Sequence, residues 1–337
     1  MDRPTHFFRR PLSSSNYNNL LLHPEKAKLR PSENFMAKIM FLSPYQSLNF
    51  EQQLQEAALF PHIFSLRKPE SHKGTYGTLA IIGGAEGMSG SVMMAATAAI
   101  YNGCGKVWIG FNQPSLPLPV VPERPEIMLS TAQNLLQHND INAWVCGCGL
   151  GLSDSSAITL NKQLDATQNM PLLLDADALT LIAQHTSLAQ AVANRRVPII
   201  LTPHPSEAAR LLNCTTADIQ NDRENAVLTL AKKFNATAVL KGHYSLVASV
   251  DQPIYTNTSG NVGLATAGSG DVLSGIIGSL LAQNIPIIEA VRGGVWLHGA
   301  AADVLRDSEM GEIGMLAGEI APAARWLKNR LTTALNK

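Results

Sequence analysis

The sequence predicts an α/β protein, with helices on both faces of a mostly parallel central sheet. Three observations carry this reading. Short runs rich in Ile, Val and Leu are nearly continuous in apolar residues rather than alternating, as strands covered on both faces require. Helical stretches separate most of these runs, the alternation that winds an open sheet through right-handed crossovers. Charged residues make up only 15% of the 337-residue chain and hydrophobic ones 45%. Soluble domains carry about 25% charged residues, so much of this chain belongs to an interior.

Taken in order, "TLAIIG" (78–83) is the first expected strand and "SGSVMMAATAAIYNG" (89–103) a helix. "KVWIGF" (106–111), "AWVCG" (143–147), "PLLLD" (171–175), "VPIILT" (197–202) and "TAVLK" (237–241) follow as strands. Beyond "AGSGD" the chain reads as mostly helical. No repeat or low-complexity linker interrupts residues 70–330, so one domain is expected over 51–337, with a poorly structured extension over 1–50. Residues 1–35 differ from the rest: they are rich in Asn, Ser and Pro, with six basic residues against three acidic ones. A disordered tail, a start assigned too early with Met36 as the true first residue, and an organelle-targeting segment all fit that composition. Asp2 and the scattered polar residues make a poor amphipathic helix, which favours the first two.

Formal net charge is zero. No basic field is available to hold nucleic acid, and no polybasic segment marks a membrane surface. No apolar run reaches the ~18 residues of a membrane span. Four cysteines occur, and the only close pair, Cys146 and Cys148, sits at C-x-C spacing among glycines, which is not a zinc pattern. Reduced thiols in a cytoplasmic protein are expected.

In open parallel sheets, ligands collect at the carboxyl ends of the strands. Five strand ends here are unusual: "IIGGAEGMSGS", "VCGCGLG", "LLLDADAL", "ILTPHPSE" and "VLKGHYS". The sharpest segment is "NTSGNVGLATAGSGDVLSGIIGSLLAQ" (257–283). Gly268, Ser269 and Gly270 run into a helix whose apolar residues recur at helical spacing, with small residues between them that permit close packing. Glycines at a helix start let backbone N–H groups converge on an anion, and the helix dipole favours negative charge there. The segment therefore reads as a phosphate cradle. It is neither a Walker loop nor a G-x-G-x-x-G dinucleotide fingerprint. Asp271 at its mouth suits an N-cap, and it equally suits the base that phosphoryl transfer needs on the attacking hydroxyl. Asp175 and Asp177 either cap the following helix or act directly.

"HKGTYGTLAIIGGAEGMSGS", "GCGLG", "PLLLDADAL", "LTPHPSEAARLL", "VLKGHYS" and "NTSGNVGLATAGSGDVLSGIIG", in this order, resemble the ADP/ATP-dependent NAD(P)H-hydrate dehydratases, a branch of the ribokinase-like superfamily. The resemblance covers about residues 65–330 and implies a ribokinase-like fold. It also implies the substrate: NADH or NADPH that has gained water across a nicotinamide double bond. A nucleotide phosphorylates the resulting hydroxyl, and departure of phosphate restores the ring. ADP or ATP is the implied donor, with Mg2+; bacterial members typically use ADP and animal and fungal members ATP, and ADP is the expected preference. Residue by residue, Asp271 matches the catalytic, substrate-contacting aspartate. Ser91, Gly149 and His204 match substrate contacts. Gly270 matches a nucleotide contact, and Lys241, Gly242, His243, Tyr244 and Ser245 match the K-G-x-x-T nucleotide segment. Ser245 replaces the usual threonine, Ser91 stands where alanine is usual, and Ala267 where glycine is commoner. Glu207 matches a glutamate that organises Mg2+ through water in related vitamin kinases; a glutamate at a helix start also suits the dipole with no metal.

Many bacterial relatives carry an N-terminal epimerase domain. About 65 residues precede the match here, too few for one, so a stand-alone dehydratase is expected, with a separate epimerase acting on the same substrate. A homo-oligomer remains open. The competing readings are a vitamin or sugar kinase of the same fold and a non-catalytic nucleotide sensor. Vitamin kinases carry cysteine where Asp271 stands, sugar kinases lack "TPHP" and "HKG", and a sensor needs no base.

Overall fold

Each inner strand feeds two separate cores, which is why its sequence is almost entirely apolar. In the computed structural model, which describes residues 44–337 apart from Pro198, Ile81, Val145, Leu173, Ile200 and Val239 enter one hydrophobic cluster. Their neighbours Ile82, Cys146, Leu174, Leu201 and Leu240 enter the other. The pleat sends successive side chains to opposite faces, so strands covered on both sides lose the polar alternation.

The elements, in order, are α1 (Phe50–Ala57), β1 (Thr78–Gly83), α2 (Ser89–Tyr101), β2 (Lys106–Phe111), β3 (Met128–Thr131), α3 (Ala132–Leu135) and β4 (Ala143–Cys146). Then come α4 (Asp154–Ala166), β5 (Leu172–Leu174), α5 (Ala176–Gln184), α6 (Thr186–Ala193), β6 (Ile199–Leu201), α7 (Pro205–Leu212), α8 (Thr216–Asn221) and α9 (Arg223–Phe234). The chain closes with β7 (Ala236–Leu240), β8 (Leu246–Ala248), β9 (Tyr255–Thr256), α10 (Ser269–Ala282), α11 (Ile287–Asp307) and α12 (Ala317–Leu335). One sheet results, in the order β3-β2-β1-β4-β5-β6-β7-β8-β9. It is parallel from β3 to β7, and β8 and β9 add an antiparallel edge. The first cluster draws on α2, α10, α11 and α12, the second on α4, α5, α7 and α9. The result is the three-layer arrangement the sequence predicts.

The extension expected over residues 1–50 lies, through residue 43, outside the described residues. Within 44–49, the Gln46 N–H donates to Ser308 Oγ at 3.1 Å and the Leu48 N–H to Asp307 Oδ2 at 2.9 Å. Among the described residues no helix is long and apolar enough to cross a membrane.

α10 is the helix that positions the site. Every residue from Val272 to Ala282 is buried, so it runs through the interior rather than along its surface. Close packing needs its small residues: a Cβ added at Gly275 would fall 2.1 Å from the Ala95 carbonyl of α2. The topology adds a second constraint. β1 leads to β2 on one side, and β4 leads to β5 on the other. The carboxyl ends of β1 and β4 therefore bound the crevice where open α/β sheets bind ligands.

Candidate functional site

The floor of that crevice is zipped shut by backbone. The Gly84 N–H donates to the Cys148 carbonyl at 3.0 Å and the Ala85 N–H to the Gly149 carbonyl at 2.7 Å. Gly149 sits at φ +59°, and a Cβ there would lie 2.8 Å from Met88 Cβ and 3.2 Å from Ser91 Cβ. Two expected substrate residues, Gly149 and Ser91, thus meet on one surface. Asp177 accepts the Gly151 N–H at 2.8 Å and so pins the β4 loop.

Above this floor α10 begins. Gly268, at φ +89°, turns the chain into the helix, a conformation open to glycine at little steric cost. The preceding Ala267 has no positive φ, so the loop accommodates the Cβ that replaces the commoner glycine. Asp271 lies in the first turn. Burial, the largest influence, holds its carboxyl above the ordinary range, against hydrogen bonds from the Cys148 thiol and the Ser91 hydroxyl and aided by the negative field of Asp175. The Ser269 N–H already donates to the Thr266 carbonyl at 3.4 Å, and the other first-turn N–H groups and the helix dipole suit an anion. Gly270 is not among the positive-φ glycines. A Cβ there would meet only Lys241 Nζ at 3.6 Å and Asp175 Oδ2 at 3.8 Å, which is ordinary contact. The fold itself does not demand glycine at 270.

At the end of β7, Lys241 Nζ stands 2.7 Å from Asp175 Oδ1 and 3.9 Å from Glu207 Oε2. Burial alone would lower the lysine pKa, but the two carboxylates outweigh it and hold the ammonium above its ordinary value. The loop after Lys241 is braced from below by Arg223, which donates to the carbonyls of Leu240 at 3.2 Å and Lys241 at 3.4 Å. Ser245 Oγ donates to the Gly242 carbonyl at 3.1 Å. The His243 and Tyr244 rings lie against each other, with centroids 3.9 Å apart and planes tilted by 42°. This loop and the start of α10 border a cavity of about 540 Å³ that also takes in Asn257, Asn261, His298 and Glu312, within the size range of small-molecule sites.

His204 and Glu207 form a reciprocal cap on α7. His204 Nδ1 accepts the Ser206 N–H at 3.2 Å, and Glu207 Oε2 accepts the His204 N–H at 2.8 Å. Burial lowers the His204 pKa, helped by Lys241 and Arg210. Burial pushes Glu207 up to about 7, the Lys241 ammonium opposing it. Among the described residues, no group of three or more His, Cys, Asp or Glu side chains could hold a metal ion. Glu207, a single buried carboxylate, is the kind of donor that can reach through water a Mg2+ carried on nucleotide phosphates.

The sequence profile of the NAD(P)H-hydrate dehydratase family matches residues 79–324. The chain belongs to this family. It is 57% identical over 287 residues to the ADP-dependent (S)-NAD(P)H-hydrate dehydratase of Neisseria meningitidis, covering 84% of this chain and 96% of that one. Among solved structures it is similar to the ADP/ATP-dependent NAD(P)H-hydrate dehydratase of Bacillus subtilis co-crystallised with ATP and Mg2+, at 30% identity and a TM-score of 0.69 over 80% of this chain and 96% of that one. A ribokinase-like superfamily protein of Enterococcus faecalis matches at 26% identity and a TM-score of 0.70, over 80% of this chain and 94% of that one. The ribokinase-like fold expected for this chain is therefore the fold it has.

In this dehydratase, Ser91, Gly149 and Asp271 come together at the crevice, and Lys241 to Ser245 line the cavity with Ser269 and Gly270. His204 does not line that cavity; its corner joins the rest through Glu207 and Lys241. Sequence reasoning missed His298, whose Nε2 lies 3.0 Å from the Ser269 carbonyl and whose pKa burial lowers to about 4. A neutral imidazole there donates to the first residue of α10. A histidine in the middle of an apolar helix announces nothing. Asn257 was likewise unmarked; its amide group bonds Ser259 in the loop below the cavity, with Oδ1 taking the Ser259 hydroxyl at 2.9 Å.

Proposed function

We propose that this chain returns hydrated NADH and NADPH to NADH and NADPH by phosphorylating the ring hydroxyl, with Asp271 as the base. One observation carries the assignment of roles. A half-buried carboxylate with a raised pKa stands in the first turn of α10, hydrogen-bonded by the Cys148 thiol and the Ser91 hydroxyl and next in the chain to Gly270, which lines the cavity. Asp271 takes the hydroxyl proton, and the freed oxygen attacks the terminal phosphorus of the nucleotide. The phosphorus–oxygen bond to the rest of the nucleotide breaks, with the N–H groups at Gly268 to Gly270 facing the charge. The ring carbon–oxygen bond then breaks with its electron pair on phosphate, the neighbouring ring carbon loses a proton, and the double bond returns. Phosphate leaves far more readily than hydroxide, which is the reason to consume a nucleotide.

ADP is the proposed donor, with ATP as the alternative. Gly149, Ser91 and His204 are the proposed substrate contacts, and Lys241 to Ser245 with Gly270 the nucleotide contacts. Bound Mg2+ would neutralise charge on the phosphates, and Glu207 is the residue proposed to hold its water shell. We place the enzyme in the cytoplasm, in keeping with its four free cysteines. A separate epimerase is its proposed partner, because an enzyme acting on one epimer leaves the other behind. The test is direct: incubate the protein with hydrated NADH and ADP or ATP, and follow the return of the dihydronicotinamide absorbance. No return with either nucleotide rejects the proposal.

A further inference from the structure

We propose that Asp175 is a positioning residue for Lys241: it holds the lysine ammonium against the amino end of α10, where it meets the phosphoryl group in transit rather than the nucleoside. The inference rests on the reading that transfer takes place at that helix start. Asp175 follows β5 directly and is 1% exposed. Both of its carboxylate oxygens are engaged. Oδ1 accepts from Lys241 Nζ at 2.7 Å and from the Ala176 N–H at 2.9 Å. Oδ2 accepts from Ser274 Oγ at 2.8 Å. Ser274 is a fully buried residue of α10, so one carboxylate joins the ends of β5 and β7 to the helix that carries Asp271.

The position of the ammonium gives this tie its meaning. Lys241 Nζ is 3.6 Å from where a Cβ on Gly270 would stand, in the space an anion at the helix start would enter. A lysine ammonium has three donors. Asp175 takes one, and Glu207 at 3.9 Å is beyond a good hydrogen bond, so donor capacity is left for phosphate. Lysine is a point charge on a flexible four-carbon stem. Only a fixed partner makes it a preorganised charge, one that needs no rearrangement as charge develops on the transferring group. Asp175 supplies that partner from the buried side.

Steady-state kinetics with hydrated NADH and ADP test this on Asp175→Asn, Lys241→Met, the double variant, Ser274→Ala and Gly270→Val, with thermal melts of each. Asp175→Asn is expected to lower kcat about 100-fold, the usual scale for losing one preorganised electrostatic contact, with the KM for ADP within about threefold of wild type. The double variant should be no slower than Lys241→Met alone, because residues acting as one unit are not additive. A kcat for Asp175→Asn within about threefold of wild type, or losses that multiply in the double variant, overturns the inference. If Asp175→Asn does not fold, Ser274→Ala carries the test, since it releases one anchor and keeps the charge. It should lower kcat about tenfold with KM unchanged and add nothing on the Lys241→Met background; an unchanged kcat overturns the inference. Gly270→Val separates the two levels. Normal turnover there refutes transfer at this helix start, whereas impaired turnover beside a normal Asp175→Asn refutes only the role of Asp175.

Discussion

The two sides of the site are built differently. The crevice floor is locked: backbone hydrogen bonds join the β1 and β4 loops, Gly149 is held at positive φ against Met88 and Ser91, and Asp271 is largely out of water. The side proposed for the nucleotide is looser. Tyr244 is 51% exposed, Val262 is 76% exposed, and the Ser245 hydroxyl is tied only to its own turn. Reactive geometry tolerates little displacement, because near-attack contacts are lost over an ångström. A nucleotide whose end can carry two or three phosphates asks less of its wall. The contrast implies that changes on the floor side act on turnover and changes on the rim act on binding.

The strongest way to break this comparison is Asp271→Asn. The amide has the carboxylate's shape but cannot take the hydroxyl proton, and loss of a general base costs about 10²–10⁴-fold in rate. Nucleotide affinity, measured by calorimetry, should be nearly unchanged. A variant that keeps more than about a tenth of the wild-type kcat removes Asp271 from the base position.

Glu207 tests the middle of the site, through stability rather than rate. Burial raises its pKa from 4.5 to about 7. As pH climbs between those values the unfolded chain releases this proton while the folded one retains it, so folding takes up a proton and stability falls. The contribution is fully present below 4.5 and lost by the time pH has risen through about 7. At about 1.4 kcal/mol per pKa unit, the ceiling is roughly 3 kcal/mol. Glu207→Gln can still cap His204 but cannot titrate. Its melting temperature should therefore fall less than the wild type's between pH 5 and pH 8. Identical pH dependence in the two proteins would show that Glu207 does not carry a raised pKa.

Ser245→Ala should have the smallest effect. One neutral hydrogen bond is worth about 1 kcal/mol, so ADP affinity should weaken several-fold while kcat at saturating ADP stays normal. That is the signature of a contact made equally in ground and transition states. A fall in kcat with affinity intact would place Ser245 on the reactive side and erase the contrast between floor and rim.

Much of this was legible along the chain. The inner strands β1, β2, β4, β5, β6 and β7 announce themselves because burial on both faces leaves no room for polar residues. β3, β8 and β9 do not. β3 is half-buried throughout and β9 is two residues long, and both are edges that lack the two-sided burial that makes a strand readable; β8 is buried, but it follows β7 with no helical stretch between to set it apart. The proposed phosphate cradle was readable for a local reason as well, since a left-handed glycine, the N–H groups of a helix start and an acidic first turn are all properties of consecutive residues.

Sequence alone therefore determined the layered α/β architecture, and it marked Gly268 to Gly270 as the proposed anion site and Asp271 as the candidate base. These follow from periodicity and local backbone geometry, which act over a few residues. Tertiary structure alone decided which groups face one another. Asp175 reaches Lys241 across 66 positions and Ser274 across 99, and His298 comes to the start of α10 from a helix 29 residues on. Burial also shifted the pKa values, raising those of Glu207 and Asp271 and lowering that of His298. Desolvation depends on what the whole fold packs around a group, and no local stretch of sequence contains that.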